Sequence, residues 1–222
     1  MSKKKEWIGL IAAYIGAVLG LVGIMLYNIN IRGGLPPVPR MLVTIGSRVL
    51  LMIIPIIVMI VSKDKLSDYG FTGEKIGIQI LTGVILGLVL SVFLTLIPHL
   101  AGFGEYVDNG NRYNKAWMFV YDFAFFIIGV GLSEEFVFRG MIYEKIRRIS
   151  GKDSIAVIVS SIMFGFIHLF GGNLIQVAIT SVIGIIFAVL RLKIKRCSTL
   201  SLIVLHGVYD AMITVWASVF FG

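Results

Sequence analysis

Glu134, Glu135 and Arg139 lie in the stretch GLSEEFVFRG, residues 131–140, within a run otherwise fit for hydrocarbon. An ionisable side chain near the middle of a bilayer costs roughly 2.5–3.5 kcal/mol even on lenient insertion scales, so each one needs a partner or a task. On a helix, positions four apart share a face and adjacent positions diverge. Glu135 and Arg139 are therefore expected to pair, leaving Glu134 pointing elsewhere as an uncommitted carboxylate, the kind of group that serves as a base. FGFIH at 164–168 places Phe164 and His168 on one helix face. HGVYD at 206–210 does the same for His206 and Asp210. Two of the three histidines thus fall inside apolar runs near acids, an arrangement suited to activating water and to stabilising a developing oxyanion.

These groups need elements that hold them in lipid. The chain has 222 residues, 58% hydrophobic and 14% charged, with a mean hydropathy of +0.95. About a quarter of residues are charged in soluble domains. An integral membrane protein of the all-α class follows, a transmembrane bundle of seven helices, or eight. Apolar runs near the ~20-residue bilayer length fall at about 7–28, 41–62, 76–97, 117–138, 154–171, 174–190 and 199–221. Residues 1–222 read as one membrane domain, with three helices in 1–114 and the motif-bearing helices in 115–222. Transmembrane strands would alternate over short segments, and no such pattern occurs.

The net charge of +8 reports topology rather than nucleic-acid binding. Lys3, Lys4 and Lys5, then Lys63, Lys65 and Lys75, then Arg139, Lys145, Arg147, Arg148 and Lys152, then Arg191, Lys193, Lys195 and Arg196 fall on alternate connections. The other side holds Arg32, Arg40, Arg112 and Lys115. The positive-inside rule puts the N-terminus of this multi-pass cell-membrane protein in the cytoplasm. The first run is too long for a signal-peptide core and lacks a small-residue cleavage site, so it is expected to be retained. Cys197 is the sole cysteine, which excludes an internal disulfide and a cysteine-rich zinc cluster.

Gly16 with Gly20, and Gly83 with Gly87, place small residues four apart for close helix packing. His99 is expected to be an interfacial histidine at a helix end. Arg48 and Asp122 match no motif; they are expected to pair with each other or to line a water path.

EEFVFR, FGFIH and HGVYD fit the EExxxR, FxxxH and Hxxx(N/D) motifs of the CAAX protease and bacteriocin-processing (CPBP, or Abi) family of intramembrane endopeptidases, which the chain resembles over about residues 115–222. Each motif alone is weak; three in order, each within an expected span, are specific. The resemblance implies a glutamate-dependent protease. Glu134 with His168 would activate water, His206 with Asp210 would stabilise the oxyanion, and Glu135 with Arg139 would hold the architecture. Hydrophobic, lipidated or leader-bearing peptides would be the substrates, and the bilayer the surroundings.

One departure concerns the last motif position, where prototypical CAAX-cleaving members carry Asn. An ionised Asp cannot donate a hydrogen bond. Either Asp210 carries a proton, or it accepts from His206 and orients that ring, which needs no unusual protonation and is the expectation. Members of the family have been labelled metalloproteases. The HExxH signature is absent, so no cofactor is expected, with zinc on Glu134, His168 and His206 as the alternative.

A depth problem remains. Drawn as straight, centred spans, these ranges leave Glu134 and His168 about 10–15 Å apart along the membrane normal. Two other classes compete with the protease: a non-proteolytic immunity or regulatory protein of the same fold, and a transporter. An uncommitted Glu134 argues against the first. The second predicts discontinuous helices at corresponding positions of two halves, which the sequence does not show.

Overall fold

The computed structural model of the chain describes residues 2–170 and 172–221. Six helices are long and apolar enough to cross a membrane, and a bent pair makes a seventh. In order they are α1 (Lys3–Asn30), α2 (Pro37–Leu51 and Ile53–Ser62, bent by 41°), α3 (Ile76–Val107), α4 (Ala116–Ser150), α5 (Asp153–Phe170), α6 (Leu174–Lys193) and α7 (Thr199–Phe220). No strand occurs among the described residues. Gly171, the first residue of the turn expected at 171–173, lies outside them.

The packing is that of a membrane bundle. On α1 the buried stripe is small, with Gly9, Ala13, Gly16, Ala17 and Gly20, while Ile8, Ile11, Ile15 and Leu19 are exposed, as lipid allows. The bundle is centred on α7, whose apolar stretch is 67% buried against 39% or less for α1, α3, α4, α5 and α6. The Gly83/Gly87 pair packs as expected: a Cβ on Gly83 would meet the Ser201 carbonyl oxygen at 2.5 Å, and one on Gly87 the Leu205 oxygen at 2.8 Å. The Gly16/Gly20 pair likewise lies against Ile54 and the Leu50 backbone.

Two spans outrun their expected ends. The helix of α3 continues past residue 97 to Val107, kinked at Gly102, where φ is +90°. That of α4 continues twelve residues past 138 to Ser150 and stops at Gly151, whose φ of +72° is a left-handed helix cap. Hydropathy ended α4 where charge began, but Glu144, Lys145, Arg147 and Arg148 all have ion-pair partners and all favour helix.

This extension removes the depth problem. Glu134 stands seventeen residues before Gly151 and His168 seventeen after it, about 25 Å of helix rise in each case. Across the α4–α5 hairpin the two therefore come level.

The basic connections share one end of the bundle. Lys145 Nζ lies 3.3 Å from Glu6 Oε2 and 3.4 Å from Asp64 Oδ2, while Arg148 Nη1 reaches Glu6 Oε1 at 3.3 Å and Asp64 Oδ1 at 2.9 Å. The Thr199 hydroxyl donates to the Tyr69 carbonyl at 2.7 Å. The start of α1, the α2–α3 loop, the end of α4 and the start of α7 are thereby tied into one basic face. Toward the other end, His99 stacks on Phe221 with ring centroids 3.4 Å apart; because α3 continues to Val107, it lies within that helix rather than at its end.

Candidate active site

Three helices bring the motif residues together, and glycine sets how closely two of them approach. A Cβ on Gly131 of α4 would meet the Ile203 carbonyl oxygen at 2.5 Å, and one on Gly207 of α7 would meet the Ile127 Cα at 2.5 Å. Each glycine lies within a few residues of site groups, Gly131 before Glu134 and Gly207 directly after His206. Around the acids α4 departs from regular α geometry, with π-helical stretches at Phe125–Gly131 and Phe136–Ile142 flanking Leu132–Glu135. Such wide turns inside helices recur at functional sites.

Glu135 is fully buried and serves two partners through one oxygen. Its Oε1 accepts from Arg139 Nη1 at 2.9 Å, as the spacing of four predicts, and from His206 Nδ1 at 2.6 Å. Sequence spacing could not reveal the second bond, because it crosses from α4 to α7. The Arg139 guanidinium lies over the Phe164 ring, 3.9 Å from its centroid, and 5.4 Å from that of Phe187. Phe187 also meets His206 edge-on, with centroids 5.4 Å apart. Arg191 of α6 donates to the Arg139 carbonyl. Nothing in the sequence singled out Phe187 or Arg191: one is an aromatic residue in an apolar run, the other a cation at a helix end.

Glu134 points away from that layer, as expected. Its Oε2 is buried with no hydrogen-bond partner and lies 3.9 Å from His206 Nε2. The Asp210 Oδ2 lies 3.4 Å from the same nitrogen, at the outer edge of hydrogen bonding. His168 Nδ1 lies 3.0 Å from the Phe164 carbonyl oxygen, which can only accept. That bond places a proton on Nδ1, so that in the neutral ring Nε2 is the lone-pair acceptor. Glu134, His168, His206 and Asp210 all line one cavity of about 690 Å³, together with Phe164 and Tyr209.

Arg48 and Asp122 form no ion pair with each other among the described residues. Arg48 stacks instead on Phe125, 5.0 Å from the ring centroid, with its Nε buried and unpartnered. Among the described residues no group of three or more His, Cys, Asp or Glu side chains is gathered so as to hold a metal ion.

Residues 116–212 match the model of the family described as Rce1-like, type II CAAX prenyl endopeptidase. They form an Rce1-like domain. It opens with the first residue of α4, closes within α7, and contains all three motifs. The match covers 97 of the 222 residues, so it is this stretch that is similar to the type II CAAX prenyl endopeptidases. No curated protein and no solved structure matches the chain.

Proposed function

We propose that the chain is a glutamate-dependent intramembrane endopeptidase acting on hydrophobic, lipidated or leader-bearing peptides. One observation carries the reading: the carboxylate of Glu134, with an oxygen unclaimed by any protein group, shares a cavity wall with two histidines. Water between Glu134 and His168 Nε2 would give up a proton to the carboxylate as its oxygen attacks the scissile carbonyl carbon. The tetrahedral oxyanion would then accept from Nε2–H of His206, a role that requires the ring to carry a proton on both nitrogens, with Nδ1–H held by Glu135 and Asp210 flanking the ring. Collapse breaks the C–N bond, and the proton held by Glu134 passes to the leaving amine. Water and peptide are consumed, and an acid and an amine are formed. Asp210, able only to accept when ionised, would orient the ring rather than bind the oxyanion.

The test is turnover of a fluorogenic hydrophobic peptide panel by purified wild type and Glu134→Gln, with and without chelator. Loss of a general base lowers turnover about 10²–10⁴-fold, while thermal unfolding of the variant should match wild type. Equal turnover would remove Glu134 from the mechanism. Abolition by chelator with recovery on adding zinc would replace the mechanism with a metal-bound one.

A further inference from the structure

The lining of the cavity runs from the middle of the bundle toward the end remote from the basic face. From α4, which ends at the basic face, come Phe126 and Glu134; from α5, which starts there, come Phe164 and His168 in its last turns. The lining of α6 runs from Gln176, near its start, to Ile186, and that of α7 from His206 to Ile213. At the end of α3 Tyr106 joins the wall, which continues into the α3–α4 connection through Asn109 and Asn111. That connection is held in place, since Asn109 Nδ2 donates to Thr214 Oγ1 at 3.1 Å and the Tyr113 amide donates to Ser218 Oγ at 2.9 Å.

Toward the basic face the cavity is closed. Glu135, Arg139 and Phe187, each no more than 1% exposed, form the layer beneath the reacting groups. A second cavity of about 810 Å³ does exist on the basic side, bounded by Glu144, Arg191 and Lys195, but no residue lines both. The two faces also differ in charge. The basic one carries most of the lysines and arginines, and the connections around the site's mouth contribute only Arg32, Arg40, Arg112 and Lys115. Such a bias marks the cytoplasmic side.

Accepting the hydrolytic reading of the site, we infer that it takes its substrate from the non-cytoplasmic side. The substrate class is an exported peptide, or the tail of a protein anchored in the outer leaflet, with an apolar segment at the scissile bond and a polar continuation into water. The lining matches that class: Phe126, Ile183 and Ile213 lie among the membrane helices, and Asn109, Asn111 and Gln176 lie near the mouth. A cytoplasmic protein offering its C-terminal tail would meet the sealed face instead.

Sealed membrane vesicles of both orientations test this in two independent ways. In a Cys197→Ser background, Ile213→Cys reports the cavity, Asn111→Cys its mouth and Lys65→Cys the basic face. A membrane-impermeant methanethiosulfonate should modify the first two in right-side-out vesicles only, and Lys65→Cys in inverted vesicles only. The opposite pattern overturns the inference, and Asn111→Cys decides if Ile213→Cys fails to fold. Second, an impermeant fluorogenic peptide should be cleaved by right-side-out vesicles, and by inverted ones only after detergent. Cleavage by sealed inverted vesicles alone would likewise overturn it. Absence of cleavage in any preparation, detergent-solubilised protein included, would sink the protease reading while the thiol labelling still decides which face is open.

Discussion

Along α4 two clusters of buried charge lie within two turns of each other, and they are built on opposite terms. Around Lys145 and Arg148 every carboxylate oxygen is used: both oxygens of Glu6 and both of Asp64 accept from a cation, and Asp64 Oδ2 also accepts from the Tyr69 hydroxyl at 2.7 Å. Around Glu134 and Arg139 the bonding is incomplete. Glu134 Oε2, Glu135 Oε2, Arg139 Nε and Arg139 Nη2 are buried without a hydrogen-bond partner in the protein. Unsatisfied buried polar groups are costly, and one of these, on Glu134, faces a cavity. The first cluster joins segments of chain; the second retains bonding capacity for something that arrives.

Substitutions can break this contrast. The largest expected effect is the fall in turnover of Glu134→Gln, with stability unchanged. Next is Arg139→Met, which strips Glu135 of its cation and leaves His206 as its remaining partner. Breaking one side of a buried ion pair costs about 3–5 kcal/mol, so chemical unfolding in detergent should show a loss of that size. Glu135→Gln in the same chain should recover part of it, because no uncompensated charge then remains. An Arg139→Met protein as stable as wild type would mean that Phe164 and Phe187, rather than the ion pair, hold this layer.

Lys145→Met addresses the other cluster. Lys145 is fully buried, but Arg148 would still face both Glu6 and Asp64. The loss should therefore be smaller, about 1.5–3 kcal/mol, the range for hydrogen bonds to charged groups. Turnover per folded molecule should stay at the wild-type level. A drop in turnover without a change in stability would show that the two clusters communicate along α4.

What the sequence disclosed follows the range of each interaction. Spacing of three or four within a helix foretold the Glu135–Arg139 pair, the Phe164–His168 contact and the nearness of His206 to Asp210, because backbone geometry alone fixes these. The seven apolar runs foretold the bundle, since the length of a span is set by the bilayer. Contacts between helices were not legible. The bond from His206 to Glu135, the cover that Phe187 gives Arg139, and the Arg48–Phe125 stacking depend on rotation and depth, which periodicity leaves open. The end of α4 was misplaced for a related reason. Residues 139–150 are polar in composition, yet their charges are neutralised by Glu6, Asp64 and Arg191, which lie far away in sequence. The Ser-Gly step at 150–151 was the local signal for where that helix stops.

The smallest effect expected is also the one that separates the two clusters by pH. Asp64 lies in the connection after α2, outside the membrane spans. Burial, the largest influence on its carboxyl, pushes its pKa up; hydrogen bonds from Tyr69 and Arg148 and the charges of Arg148 and Lys145 together outweigh it and hold the value below the ordinary 3.8. A carboxyl depressed in the folded state binds protons more readily in the unfolded one. Its contribution to stability is therefore complete above the unfolded value, near pH 4, and is lost as pH falls through the lower folded value. Unfolding midpoints of wild type and Asp64→Asn should differ by a constant amount from neutral pH down to about pH 5, then converge below about pH 4. Asp64 has no contact with the cavity, so the variant's turnover at neutral pH should equal that of wild type. A gap in midpoints that persists into strong acid would mean that Asp64 acts through packing against Tyr69 and not through its charge, and the basic face would then be held by shape more than by ion pairing.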